Sequence, residues 1–171
     1  MRIALALAAT PLLALAACQT IVPAHTRVAT ALLRAADGTT VGTVTATEAA
    51  GGVMINLTVS GLSAGPRGVH VHQVGACGPT FAAAGGHWNP ASMTHGLDGN
   101  NGQHAGDMPN LEVRADGTGT LGYRLSDAAT FDGLLDADGS AFIVHAGRDD
   151  QASDPTGNSG DRVACGVFAA G

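Results

Sequence analysis

The chain has 171 residues, a length that suits one domain. It carries eight arginines, no lysine and 14 acidic residues, and its formal net charge of −6 predicts no basic face and hence no nucleic-acid partner. An anionic substrate would therefore need a local positive site. Only 4% of the residues are aromatic, so the core must be built from Val, Leu, Ile and Ala, and the 25 glycines favour turns and strands over long helices.

The N-terminus is predicted to be a targeting segment. A positive start at Arg2 precedes an apolar run over 3–17, which is short for a bilayer span and typical of a signal peptide. The run ends at Cys18 and resembles the bacterial lipoprotein signal, in which the cysteine becomes the lipidated first residue. We therefore expect a signal peptide over 1–17, a lipidated tether over 18–26 and a folded domain over 27–171.

This interpretation implies a periplasmic protein held in the bacterial cell envelope, with membrane contact through its lipid anchor only. Gln19 rather than aspartate follows Cys18, which points to the outer membrane. The alternative is an ordinary signal cleaved near Ala17, with Cys18 incidental. His25 is expected to be a solvated residue of the tether.

The cysteines give a second prediction. Once Cys18 is set aside, Cys77 and Cys165 remain of the three. Export to an oxidising compartment favours a disulfide between them, and the alternative is two free buried thiols.

From residue 26 onward the pattern is that of β-strands. Asp37-Gly38 and Asp116-Gly117 are turn signals between strand-like runs. Two stretches, 74–106 and 146–161, lack periodicity and are interpreted as functional loops. We predict an all-β fold, an eight-stranded antiparallel Greek-key sandwich or flattened barrel with two long functional loops. The predicted strands span residues 28–35, 39–47, 53–60, 68–73, 108–114, 119–125, 140–145 and 162–169.

Six of the seven histidines occur in an ordered pattern together with one aspartate. His70 and His72 share one face of a strand because side chains alternate along it, and His145 ends another strand. An H-x-H pair alone could also be two surface histidines. His95, His104 and Asp107 follow in or after the first loop, a set that suits zinc, although a mononuclear copper site is an alternative.

His87 stands before these ligands, in a tight Gly-Gly-His-Trp-Asn-Pro segment over 85–90. A deprotonated imidazole has two free nitrogens, so His87 could bridge two ions. Four nitrogens around an ion favour copper, and three nitrogens with one oxygen favour zinc.

With these motifs the chain resembles the bacterial copper/zinc superoxide dismutases over nearly all of its predicted mature length. The order and the spacing of the motifs agree with that family. The resemblance rests on residues 68–72, 86–90, 95–96, 104–107, 145 with 149–150, and 157–166.

The resemblance implies a role for each motif residue. His87 would be the bridge and a proton carrier in catalysis, Asp149 would tie His70 to His95, and Arg162 would be the catalytic arginine that receives the anion. The implied copper ligands are His70, His72, His87 and His145. The implied zinc ligands are His87, His95, His104 and Asp107.

The implied reaction converts superoxide, a small-molecule substrate, to oxygen and hydrogen peroxide with copper and zinc as cofactors. A monomer and a homodimer both remain open, and a non-catalytic copper/zinc-binding envelope lipoprotein on the same fold is the alternative. Arg67 replaces a common histidine of the family. The second loop contains no lysine and four aspartates, so Arg67 or Arg148 are the candidates for steering the anion.

Overall fold

The computed structural model describes residues 26–50, 52–98 and 102–171. Within these ranges the protein is built from strands and two single-turn helices. The predicted signal peptide and Cys18 lie outside the described residues. The strands are β1 (Val28–Ala35), β2 (Thr40–Ala49), β3 (Gly52–Val59), β4 (Gly65–Arg67), β5 (Val69–His72), β6 (Leu111–Val113), β7 (Gly119–Arg124), β8 (Ala141–His145), β9 (Arg162–Val167) and β10 (Ala169–Ala170).

The predicted all-β fold is confirmed, with shifts at several strand ends. The prediction missed β4, because its Gly-Pro-Arg sequence has no alternation of apolar and polar residues. The last predicted strand is divided into β9 and β10. The two short helices were not predicted; they are a 3-10 turn at Phe81–Ala84 and an α-helical turn, α1, at Phe131–Leu134.

One large antiparallel sheet carries most of the chain. Its strands follow the order β5-β8-β9-β1-β2-β3-β7, with β10 beside β1, while β4 pairs with β6 in a two-stranded ribbon. Only Gly68 separates β4 from β5, so one bent segment passes from the ribbon into the large sheet. The connection from β7 to β8 crosses between strands far apart in the sheet order, as in Greek-key folds. This arrangement is the predicted flattened barrel.

Alternation of side chains explains how the barrel buries its core. In β1 the residues Ala29, Ala31 and Leu33 are buried, and the residues between them face outward. In contrast, every residue of β5 and β8 is buried. One face of these two strands therefore meets the barrel core, and the other must be covered by the loops.

The first loop is fastened to the sheet by the predicted disulfide. Cys77 in that loop is bonded to Cys165 in β9 across 88 positions of sequence, so this prediction is confirmed. In the parts of the chain that the structure describes, no helix is both long and apolar enough to cross a membrane.

Candidate metal centre

The first loop returns along the free edge of β5 and brings its own residues opposite the strand histidines. The Trp88 amide donates to the carbonyl of Val71 at 2.9 Å, and the Val71 amide donates to the carbonyl of Gly106 at 3.0 Å. Two backbone bridges result, one that sets His87 beside His72 and one that sets Asp107 beside His70. These two bridges bring the loop residues and the strand histidines to one site. The spacing of the residues in the sequence could not predict them.

Four imidazoles converge on one buried point. Their ligand atoms all lie within 4.8 Å of one another. One nitrogen of each ring is buried and has no hydrogen-bond partner: His70 Nδ1, His72 Nε2, His87 Nε2 and His145 Nε2. A buried polar atom without a partner costs roughly 1–3 kcal/mol, so four such nitrogens facing one point are well suited to share a cation.

The opposite nitrogens of the strand histidines are held by fixed acceptors. His72 Nδ1 lies 3.0 Å from the carbonyl oxygen of Gly85, and His145 Nδ1 lies 3.0 Å from that of Gly160. Because a carbonyl only accepts, each Nδ1 must carry the proton, which leaves Nε2 with a free lone pair. The tautomers that these carbonyls select are therefore those that a metal needs.

A second cluster surrounds the carboxylate of Asp107. Its Oδ1 lies 3.0 Å from His87 Nδ1 and 3.4 Å from His104 Nδ1, and its Oδ2 lies 3.1 Å from His95 Nδ1. The ligand atoms of His70, His87, His95 and Asp107 all lie within 4.8 Å of one another, whereas His104 lies outside this compact group and reaches Asp107 and His87 at 3.4 and 3.5 Å. The Nδ1 of His70 belongs to the first cluster, however, and its Nε2 lies 2.6 Å from Asp149. The second cluster thus offers three nitrogens and one oxygen.

His87 belongs to both clusters, because its Nε2 faces the first and its Nδ1 the second. Its ring stacks on that of His70, with 3.9 Å between the centroids. Each cluster therefore receives one ring nitrogen of His87, and its role as a bridge between two ions stays a prediction.

Asp149 connects the two clusters from behind. Its Oδ2 lies 2.6 Å from His70 Nε2 and its Oδ1 lies 3.0 Å from His95 Nε2, and the carboxylate is fully buried. Two residues that the sequence analysis did not identify hold it. The backbone N–H of Gln151 donates to Oδ1 at 2.6 Å, and the Asn110 side chain exchanges two hydrogen bonds with the Asp149 backbone. No sequence signal links Asn110 to a loop 39 positions later.

Burial determines the charge of the strand histidines. Removal from water, with the neighbouring imidazoles, lowers the pKa of His70 to about 3, of His72 to about 2 and of His145 to about 4. Burial also opposes charge on His95, but hydrogen bonds to Asp107 and Asp149 outweigh it and raise the pKa of His95 to about 9. The strand histidines are therefore neutral and available as ligands at neutral pH.

Arg162 opens β9 and is fixed to the first loop. Its Nη1 donates to the carbonyl of Phe81 and its Nη2 donates to that of Gly85, both at 2.6 Å. The Gly85 carbonyl thus joins Arg162 to His72. These two loop carbonyls are the direct hydrogen-bond contacts of Arg162. Arg162 and Cys77 line a cleft of about 670 Å³.

The other candidate arginines differ in their contacts. The Arg67 guanidinium donates to the carbonyls of Ala146 and Ser63, so it fastens the start of the second loop. Arg148 is exposed. In the same loop the carboxylate of Asp150 accepts hydrogen bonds from the side chains of Ser153 and Asn158.

With this geometry established, comparison with known proteins decides the family. The family model described as copper/zinc superoxide dismutase (SODC) matches residues 40–168. The chain belongs to this family. Superoxide dismutase [Cu-Zn] of Caulobacter vibrioides is 44% identical over 147 residues, which are 82% of this chain and 84% of that protein. Superoxide dismutase [Cu-Zn] of Deinococcus radiodurans is 37% identical, over 78% of this chain and 79% of that protein.

The family also includes a relative described only as superoxide dismutase-like. The Bacillus subtilis protein YojM is 42% identical over 68% of this chain and 63% of its own length. A crystal structure of a SOD-like protein from B. subtilis covers 82% of this chain and 97% of that chain, with 36% identity and a TM-score of 0.74. The fold is therefore shared by proteins named as dismutases and by proteins named otherwise.

The family uses copper and zinc, and the two donor sets of this chain fit those ions. The first cluster presents four nitrogens, as copper prefers. The second presents three nitrogens and a carboxylate oxygen, a combination typical of zinc.

The depressed pKa values predict how the metal-free protein responds to acid. Below pH ~6.5 the unfolded chain protonates His70, His72 and His145, but the folded chain does not until pH 4 or lower. His95 is protonated in both states between about pH 4 and 6, so it adds no slope there. We expect a loss of about 1.4 kcal/mol per pH unit for each of the three histidines.

Urea unfolding of chelator-treated protein at a series of pH values measures this loss. A free energy of unfolding that stays constant as the pH falls from about 7 to 5 would contradict the assignment of neutral, buried imidazoles.

Gly157 predicts a sharp steric effect on Asp149. A Cβ at this position would overlap Asp149 Oδ1 and lie 2.5 Å from His95 Nε2. Gly157→Ala should therefore displace the carboxylate and weaken metal binding about 10-fold or more. Gly38→Ala is the matched control, since Gly38 also has positive φ but a Cβ added there would meet no atom within 4 Å.

The left-handed backbone should cost each variant about 1–2 kcal/mol in the free energy of unfolding, and Gly157→Ala should lose more because of the overlap. Only Gly157→Ala should lower the copper and zinc affinities, measured by chelator competition. Equal affinities in the two variants would show that displacement of the Asp149 carboxylate does not weaken metal binding.

Proposed function

We propose that this protein catalyses the disproportionation of superoxide to oxygen and hydrogen peroxide in the cell envelope. The observation that carries the proposal is the convergence of two complete donor sets that share His87, next to Arg162 at a cleft. The proposed copper ligands are His70, His72, His87 and His145. The proposed zinc ligands are His87, His95, His104 and Asp107.

Copper would supply the one-electron oxidation and reduction, and zinc, which has no redox chemistry, would order the loop ligands. Two superoxide anions and two protons give one oxygen and one hydrogen peroxide. The chain itself must therefore attract an anion and deliver protons. His87 Nε2 is the proposed proton-carrying atom, since its Nδ1 stays within the Asp107 cluster.

Arg162 would attract and orient the anion. Its guanidinium is partly buried. Its orientation is fixed because Nη1 and Nη2 donate to the carbonyls of Phe81 and Gly85. A fixed cation in a cleft raises the local concentration of an anion even on an acidic protein. Because Gly85 also orients His72, the anion site and the ligand set are held by one backbone group.

The competing function is non-catalytic binding of copper and zinc. Solved structures of the B. subtilis SOD-like protein include a double mutant in which a tyrosine and a proline are each replaced by histidine. In the present chain the sequence itself supplies six histidines to the two clusters. This complete set favours catalysis over metal storage.

Arg162→Ala tests the proposal in protein loaded with both metals. We expect kcat/KM for superoxide to fall about 10-fold or more, with metal affinities nearly unchanged. The remaining activity should depend less on ionic strength, because the local charge is gone. Arg162→Lys should recover part of the loss.

Arg114→Ala is the matched control, since its guanidinium bonds to Thr118 within its own turn. It should leave kcat/KM unchanged. Tight binding of both metals with negligible turnover in the parent protein would instead support the non-catalytic function.

We further propose that Cys18 is lipidated and anchors the protein to the outer membrane of the cell envelope. The apolar run before Cys18 and the disulfide between Cys77 and Cys165, which needs an oxidising compartment, support this location. Cys18→Ser should shift the protein from the membrane fraction to the soluble fraction and abolish labelling by a fatty-acid probe. Equal labelling of parent and variant would rule out this anchor.

A further inference from the structure

The geometry points to Asp154 as a positioning residue for the zinc half of the site, an inference that rests on the metal assignment proposed above. Asp154 lies in the second loop, and 53% of its side chain is exposed. Its Oδ1 accepts a hydrogen bond from the His95 amide at 2.6 Å and lies 3.5 Å from His104 Nε2. One carboxylate oxygen therefore faces both His95 and His104, the two histidines assigned to zinc alone.

The other ligand histidines show why His104 needs such a partner. A ligand imidazole usually donates its remote N–H to an acceptor that sets its orientation. For four of the five non-bridging histidines this acceptor is Asp149 or a backbone carbonyl, at 2.6 to 3.0 Å. The fifth is His104, and the carboxylate of Asp154 is the acceptor that faces its Nε2.

Asp154 and Asp149 contact different sets of ligand histidines. Asp149 contacts His70 of the copper set and His95 of the zinc set. Asp154 contacts only His95 and His104 among the described ligand residues. Substitution of Asp154 should therefore weaken zinc binding selectively, whereas substitution of Asp149 should weaken the binding of both metals.

The charge of Asp154 is the property that matters for His104. A carboxylate near the remote N–H makes the opposite nitrogen, Nδ1, a more basic ligand. The contact to the His95 amide needs only a neutral oxygen. Asp154→Asn separates these contributions, because the amide oxygen can still accept from His95 while the negative charge is lost.

The experiment measures zinc and copper dissociation constants by chelator competition for the full-length parent protein and its variants. Asp154→Asn should raise the zinc dissociation constant about 10- to 100-fold and change that of copper by less than about 3-fold. Cobalt(II) bound in place of zinc should show an altered visible spectrum, which reports ligand geometry independently of stability. Asp127→Asn, whose side chain bonds to Arg124 elsewhere, is the control.

Two results would overturn the inference. In the first, Asp154→Asn binds zinc like the parent while Asp154→Ala does not, so that Asp154 only accepts from the His95 amide. In the second, Asp154→Asn weakens both metals equally. Failure of the proposed function is distinguishable, because it appears as a parent protein that binds zinc but does not dismutate superoxide, or that binds no zinc at all.

Discussion

Four buried imidazole nitrogens in the described part of the chain face one point without a hydrogen-bond partner, and they are the constraint on which the rest of this structure depends. Such groups are destabilising unless a cation satisfies them, and they stay in place only if the surrounding structure holds every ring. The opposite nitrogens of His70, His72 and His145 are bound to a carboxylate or to carbonyls, so the rings cannot turn away to water. The free energy of metal binding is in this sense part of the folding free energy.

The described parts of the two long loops are held in place by the same requirement. The first continues the sheet along β5, and Gly106 allows this because a Cβ there would overlap the carbonyl of Val71. The second folds over the first, where Gly96, at a φ of 101°, lies against the carbonyl of Gln151. Glycines at such contacts are needed because the backbones approach more closely than any side chain permits.

The sequence alone was sufficient for much of this architecture, because its signals are local. Alternation in β1 and the turn at Asp37-Gly38 predict a hairpin, and β1 and β2 form it. The H-x-H pair at His70 and His72 predicts two rings on one face, and the structure has them there. The family, the all-β fold and the disulfide were predicted correctly from the ordered motifs and the cysteine count.

The supporting contacts could not be predicted, because they depend on tertiary proximity between distant segments. Asn110 holds Asp149, and two loop carbonyls hold Arg162, without any local pattern that marks these residues.

The acidic second loop illustrates how tertiary contacts change the meaning of a charge. In the sequence, four aspartates near Arg162 are unfavourable for an anionic substrate. In the structure Asp149 is buried between two imidazoles, Asp150 accepts hydrogen bonds within its loop and Asp154 faces His95 and His104. Asp161 is the aspartate that remains at the cleft of Arg162. Three of the four carboxylates therefore face imidazoles or groups of their own loop, and Arg162 is the one cation among the residues that line the cleft.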